Sequence, residues 1–231
     1  MPKLIKHLEL LTGPEPQGSI IWMHGLGADC WDFVSLVKEL YLPDDLPLRF
    51  IFPQAPTRPI TINGGHAMPG WYDISMAELE RRERKPDEAG VRESQAFIDA
   101  LINSEVSRGI ASEHIMLAGF SQGGAIALQV GLRQPQALAG ILALSTYLTL
   151  GDSLPAEKTI ANAHIPILMA HGTQDPVVPL ALARASRDAM IAQGFKVEWR
   201  EYAMQHALCA EEVEEISRWI QGRFKLQQSQ K

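Results

Sequence analysis

The chain has 231 residues, 46% hydrophobic and 21% charged, which suits one large α/β domain or two small ones with a sizeable core. Its net charge of −6, from 27 acidic against 21 basic residues with no basic face standing out, argues against a nucleic-acid partner held by general electrostatics. Two cysteines, Cys30 and Cys209, are too few for a disulfide framework and read as structural thiols of a reduced, cytoplasmic protein. The charged start, Met1-Pro2-Lys3-Leu4-Ile5-Lys6, has no cleavage site of a secretory signal, and no apolar run approaches the ~20 residues of a membrane helix, so no membrane insertion is expected.

In chain order, His7–Leu11 is a weak strand and Ser19–Met23 a strong one, followed by the glycine-bearing loop His24-Gly25-Leu26-Gly27-Ala28-Asp29. A helix is predicted over Asp32–Leu42 and a strand over Arg49–Pro53. Ala55–Arg84 is then a long connection holding Pro56, Pro59, Gly64, Gly65, Pro69, Gly70 and Trp71, and connections of such length are usually functional or disordered. Its middle, Met68 to Ile74, is too aromatic for disorder, so this loop is expected to fold over the carboxyl edge of a sheet as a pocket wall. The run Glu78 to Lys85 alternates in charge and reads as a solvated face.

Helices are predicted over Asp87–Arg108, Gln122–Arg133, Ala181–Gln193 and Ala210–Phe224, interleaved with strands at Ile115–Ala118, Gly140–Leu144, Ile167–Ala170 and Val197–Tyr202. This alternation is that of an α/β fold, a mostly parallel central sheet with helices on both faces. No repeat or linker divides the chain, and one domain over residues 1–231 is the simplest account.

Gly119-Phe120-Ser121-Gln122-Gly123 sits where the Ile115–Ala118 strand meets a small-residue helix, the sequence form of a nucleophile elbow. Such a turn holds its serine in a strained conformation, so the positions two before and two after it must lack clashing side chains. A serine hydroxyl is a weak nucleophile and needs a base within hydrogen-bond reach, itself oriented by an acid, in chain order serine, acid, histidine. His171 and His206 compete as base. His206 follows the last strand, whereas His171 ends a strand and is followed by an acid in Gly172-Thr173-Gln174-Asp175-Pro176. Asp175 is therefore the expected acid, ahead of Asp152, with His206 the base and Ser121 the nucleophile.

The oxyanion of an acyl-transfer intermediate must be met by preorganised N–H donors. The Gln122 backbone, directly after the serine, supplies one, and the Leu26 backbone, in the loop after the first buried strand, the other. His206 and Cys209 have no partner pair at metal-ligand spacing, no Gly-Lys-Ser/Thr phosphate loop occurs, and no Gly-x-Gly-x-x-Gly follows the first strand. No metal or cofactor is called for.

Taken together, these pieces resemble the carboxylesterase, acyl-protein thioesterase and lysophospholipase-like group of α/β-hydrolases, and its bacterial esterase branch most closely. The carriers are His24 to Asp29, Pro53 to Pro56, Thr61 to Gly65, Trp71 to Ile74, Asp87 to Gly90, Gly119 to Gly124 and His171 to Pro179, in family order across nearly the whole chain. The resemblance implies an α/β-hydrolase fold without a separate lid domain. It also implies hydrolysis of short- to medium-chain esters or thioesters by Ser121, Asp175 and His206, with Trp71 lining the acyl site. Members often have glycine before the histidine where this chain has Gln205, a side chain expected to touch substrate or narrow the entrance. The expected partner is a small ester or thioester, and exposed apolar residues are compatible with a homodimer. Alternatives are a thioesterase or lysophospholipase, a peptidase, and a non-catalytic acyl-binding protein.

Overall fold

Alternating apolar residues divide each strand between two faces, and that division builds the molecule. The structure is a computed structural model that describes residues 4–79 and 86–228. Its strands are His7–Leu11 (β1), Gly18–Met23 (β2), Leu48–Pro53 (β3), Thr57–Ile60 (β4), His66–Pro69 (β5), Ile115–Phe120 (β6), Gly140–Leu144 (β7), Ile167–Gly172 (β8) and Val197–Tyr202 (β9). Its α-helices are Leu36–Glu39 (α1), Met76–Leu79 (α2), Glu88–Ser107 (α3), Gln122–Gly131 (α4), Leu154–Glu157 (α5), Leu180–Ala192 (α6) and Ala210–Gln228 (α7).

Seven strands form one sheet in the order β1-β3-β2-β6-β7-β8-β9, parallel except for β1, which runs antiparallel to β3 at one edge. Ile21, Leu117, Ile141 and Met169 face one side, against Val91, Ile98 and Leu101 of α3 and the apolar side chains of α4 and α6. Ile20, Met116, Leu142 and Leu168 face the other, against α1 and the stripe Val213, Ile216, Ile220 and Phe224 of α7. Each such side chain, fully buried, contributes roughly 1.5–3 kcal/mol, so both faces are held by the hydrophobic effect. This is the α/β-hydrolase arrangement expected from the sequence, and the six predicted parallel strands and the edge strand all appear within two residues of their expected ends.

Two elements differ from expectation. Helix α1 covers only Leu36–Glu39, because the Asp29 carboxylate accepts the Trp31 N–H and residues 29–35 form successive single turns. The long connection carries structure of its own: β4 and β5 pair antiparallel, turning at Gly64 and Gly65, both at positive φ. The charged run Glu78 to Lys85 concerns side chains outside the described residues. None of the described helices is long and apolar enough to cross a membrane.

Parallel strands end on one edge, and the loops leaving β2, β6, β8 and β9 therefore come together there. Those loops contain Leu26, Ser121, Asp175 and His206.

Candidate active site

Ser121 connects β6 to α4 at φ 54° and ψ −121°, a conformation L-residues rarely hold. Its backbone is pinned on both sides: the N–H donates to Leu144 O at 2.8 Å, and its carbonyl accepts from the Ala125 N–H and the Thr146 hydroxyl. The flanking glycines are required by close approach. A Cβ on Gly119 would lie 2.3 Å from the Gly123 carbonyl, and one on Gly123 would lie 2.3 Å from Met23 O.

His206 stands in the loop after β9, its Nδ1 2.7 Å from Asp175 Oδ2 and its ring against that of Phe120 at 4.7 Å. The Asp175 side chain is fully buried and His206 has 16% of its side chain exposed. Burial by itself would raise the Asp175 carboxyl. The hydrogen bonds from His206 and from the Val178 and Val177 N–H groups to Oδ1 outweigh it and hold the group below the usual carboxylate range. An ionised carboxylate can only accept, so Nδ1 carries the proton and the neutral imidazole presents Nε2 as an acceptor.

Main-chain bonds join the Asp175 turn to the His206 loop, since Thr173 N–H donates to Tyr202 O and Gln174 N–H to Met204 O. His171, the other candidate base, lies against Asp175. Its Nε2 is 2.9 Å from Val178 O and 3.5 Å from Asp175 Oδ2, fully buried, and burial pushes its pKa down.

Ser121, His206, Leu26 and Gln122 line one cavity of about 400 Å³. At the first position of α4, the Gln122 N–H has no intrahelical partner, and among the described residues the Leu26 N–H donates to no backbone carbonyl. Leu26 is flanked by fixed groups: Gly27 N–H donates to Pro69 O, and Ala28 N–H to Gly25 O. His24 Nε2 accepts the Ala55 N–H at 3.1 Å while Nδ1 meets Gly25 O at 2.7 Å, so the ring is a neutral Nδ1–H tautomer. Burial lowers its pKa accordingly.

Trp71 is not where the resemblance put it. It is fully buried and absent from the cavity lining, with its indole N–H on His24 O at 2.9 Å and its ring tilted at 41° to that of His24, 5.3 Å away. A buried indole needs an acceptor, and the one within reach lies beneath the loop that carries Leu26. The long connection reaches the cavity instead through Ile62, Asn63, Tyr72 and Ile74. Gln205 is exposed and is likewise absent from the lining.

Residues not found from sequence include the Gln122 side chain, which accepts the Trp71 N–H at 2.7 Å and donates to Tyr72 O at 2.6 Å. Tyr147 bonds Tyr72 through their hydroxyls at 2.9 Å, and Asp32, raised by burial, is the carboxylate in the lining. The repeated His-Gly after β2 and at the end of β8 was the available signal for His24 and His171. Among the described residues, no group of three or more His, Cys, Asp or Glu is placed to hold a metal ion.

The phospholipase/carboxylesterase family matches residues 12–223. Acyl-protein thioesterase 1 of Neurospora crassa is 40% identical over 212 residues, covering 89% of this chain and 86% of that protein. Acyl-protein thioesterase 1 of Cryptococcus neoformans is 32% identical, covering 97% and 100%. Among solved structures, Arabidopsis thaliana SOBER1 superposes with a TM-score of 0.84 at 28% identity, covering 89% of this chain and 98% of that one. Zea mays acyl-protein thioesterase 2 gives 0.80 at 27%, covering 94% and 99%. The fold, the elbow and a match over nearly the whole chain lead to one conclusion: the chain belongs to the phospholipase/carboxylesterase family of α/β-hydrolases.

Proposed function

We propose that this hydrolase is a serine carboxylesterase acting on short- to medium-chain esters, and on thioesters, through an acyl-enzyme. The observation that carries the reading is the 2.7 Å Asp175–His206 bond beside a serine held at φ 54° on the same cavity. Ser121 Oγ attacks the acyl carbonyl as its proton passes to His206 Nε2. The resulting oxyanion is met by the Leu26 and Gln122 N–H groups, the second reinforced by the positive end of α4. Collapse breaks the bond to the leaving group, which departs with the proton from His206. Water then repeats the sequence on the acyl-enzyme, releasing the acid and restoring Ser121. Asp175 keeps the imidazole in the tautomer that accepts at Nε2.

Acyl-protein thioesterase activity is the second reading, favoured by the names of the relatives above. Both readings share one mechanism and differ in the leaving group. The bacterial-branch assignment rests on the sequence motifs, whereas those relatives are fungal. The proposal further takes the chain as one cytoplasmic domain using no cofactor and no nucleic-acid partner. It leaves exposed Trp31, Tyr41 and Ile160 available to a homodimer contact.

The test is labelling by a fluorophosphonate together with turnover of 4-nitrophenyl butanoate. The reading requires both in the native chain and neither in Ser121→Ala. Ester turnover that survives Ser121→Ala would remove it.

A further inference from the structure

A second cavity, about 410 Å³, also has Tyr147 in its lining. Tyr147 lines both cavities, and among the described residues no other residue does. The ring is buried, and its hydroxyl is tied at 2.9 Å to that of Tyr72, another residue of the first cavity's lining. Its backbone neighbours are also fixed. Ser145 N–H donates to Ala170 O, and Leu148 N–H donates to the Ser186 hydroxyl at 2.9 Å. Tyr147 is therefore the one residue that the two cavities share among those described, and hydrogen bonds hold both its hydroxyl and the chain around it. In the second cavity Leu148, Leu150, Leu182 and Ala185 offer apolar surface beside the polar Asp152 and Ser186, and Glu88, with 65% of its side chain exposed, marks where that space meets solvent.

We propose that Tyr147 is the specificity-determining residue that ends the acyl site, and that the cavity behind it is a blocked extension able to take a longer acyl chain once the ring is shortened. This inference rests on the hydrolase reading above. An acyl chain attached at Ser121 occupies the first cavity and meets the Tyr72–Tyr147 pair at its end. Further methylenes must then bend back or remain in water. Each methylene transferred from water to an apolar wall gains roughly fourfold in binding, so shortening Tyr147 should favour long chains in KM more than in kcat.

The experiment compares kcat/KM for 4-nitrophenyl dodecanoate and butanoate in the native chain, Tyr147→Ala, Tyr147→Leu, and Tyr147→Ala combined with Ala185→Phe. Ala185 lines only the second cavity. The dodecanoate-to-butanoate ratio should rise at least tenfold in Tyr147→Ala, mainly through KM. It should rise severalfold in Tyr147→Leu, which retains an apolar contact and tests the same point if the alanine variant does not fold. It should fall back when Ala185→Phe fills the extension. Continued butanoate turnover with an unmoved ratio, or a raised ratio that Ala185→Phe leaves in place, overturns the inference while the hydrolase reading stands. Absence of ester turnover in the native chain removes both.

Discussion

Gln122 Oε1 accepts the Trp71 N–H at 2.7 Å, so the residue that offers its own backbone N–H beside Ser121 also holds the long connection against the elbow. The same amide donates to Tyr72 O. Gln122→Ala leaves a buried donor and a buried acceptor unpaired, at about 1–3 kcal/mol each, and loosens one side of the cavity. Denaturant unfolding should show a loss of roughly 2–5 kcal/mol. A loss under 1 kcal/mol would mean that the clamp is not needed.

Asp175→Asn keeps the shape of the acid but can donate where the carboxylate only accepts. The imidazole is then free to place its proton on Nε2, where it cannot take one from Ser121. Ester turnover should fall by about 10³–10⁴ in kcat with the fold retained. A loss smaller than tenfold would show that Asp175 does not set the tautomer of His206.

The strain at Ser121 is measurable without activity. Ser121→Gly and Ser121→Ala both remove the hydroxyl, but only glycine is at ease at φ 54°. The glycine variant should unfold about 1–2 kcal/mol later than the alanine variant, after allowing for the greater freedom of its unfolded chain. Equal stability would mean that the elbow is relaxed.

Glu212, in the first turn of α7 just past the His206 loop, is wholly buried with neither carboxylate oxygen hydrogen-bonded. Burial pushes it up to about 8, and the Cys209 backbone N–H offsets this only in part, short of a formed hydrogen bond. A raised acid holds its proton longer in the folded chain than in the unfolded one. Its effect is absent below the unfolded value near 4, grows less favourable as pH rises to about 8, and is constant above that. Glu212→Gln should therefore stabilise the protein by a few kcal/mol at pH 8–9 and by almost nothing at pH 4. Thermal unfolding of both proteins across that range checks it, and parallel pH curves would contradict it.

The sheet was legible because each of its strands is an apolar run bounded by turn residues, and the meeting of Asp175 and His206 beside the Ser121 cavity because a required chain order left few candidates. The hairpin β4–β5 was not, since Pro59 and Pro69 speak against strands. They are tolerated in a sheet of only two strands, where one side of each needs no partner, and the Asn63-Gly64-Gly65 turn was the overlooked sign. Trp71 was misplaced because sequence shows an aromatic near the site but not which acceptor its N–H will find. Tyr72 and Tyr147 stand 75 positions apart, so nothing local announces their bond.

The main-chain bonds from Thr173 and Gln174 to the Tyr202 and Met204 carbonyls make the Asp175 turn and the His206 loop a single mechanical unit. Much of the opposite side of the cavity is supplied by residues 62–74, which reach it from a separate small sheet and the segments around it. Gln122 ties that wall to the Ser121 turn through Trp71 and Tyr72, so the small sheet and the elbow are mechanically coupled, and a change in residues 62–74 is transmitted to the turn that carries Ser121.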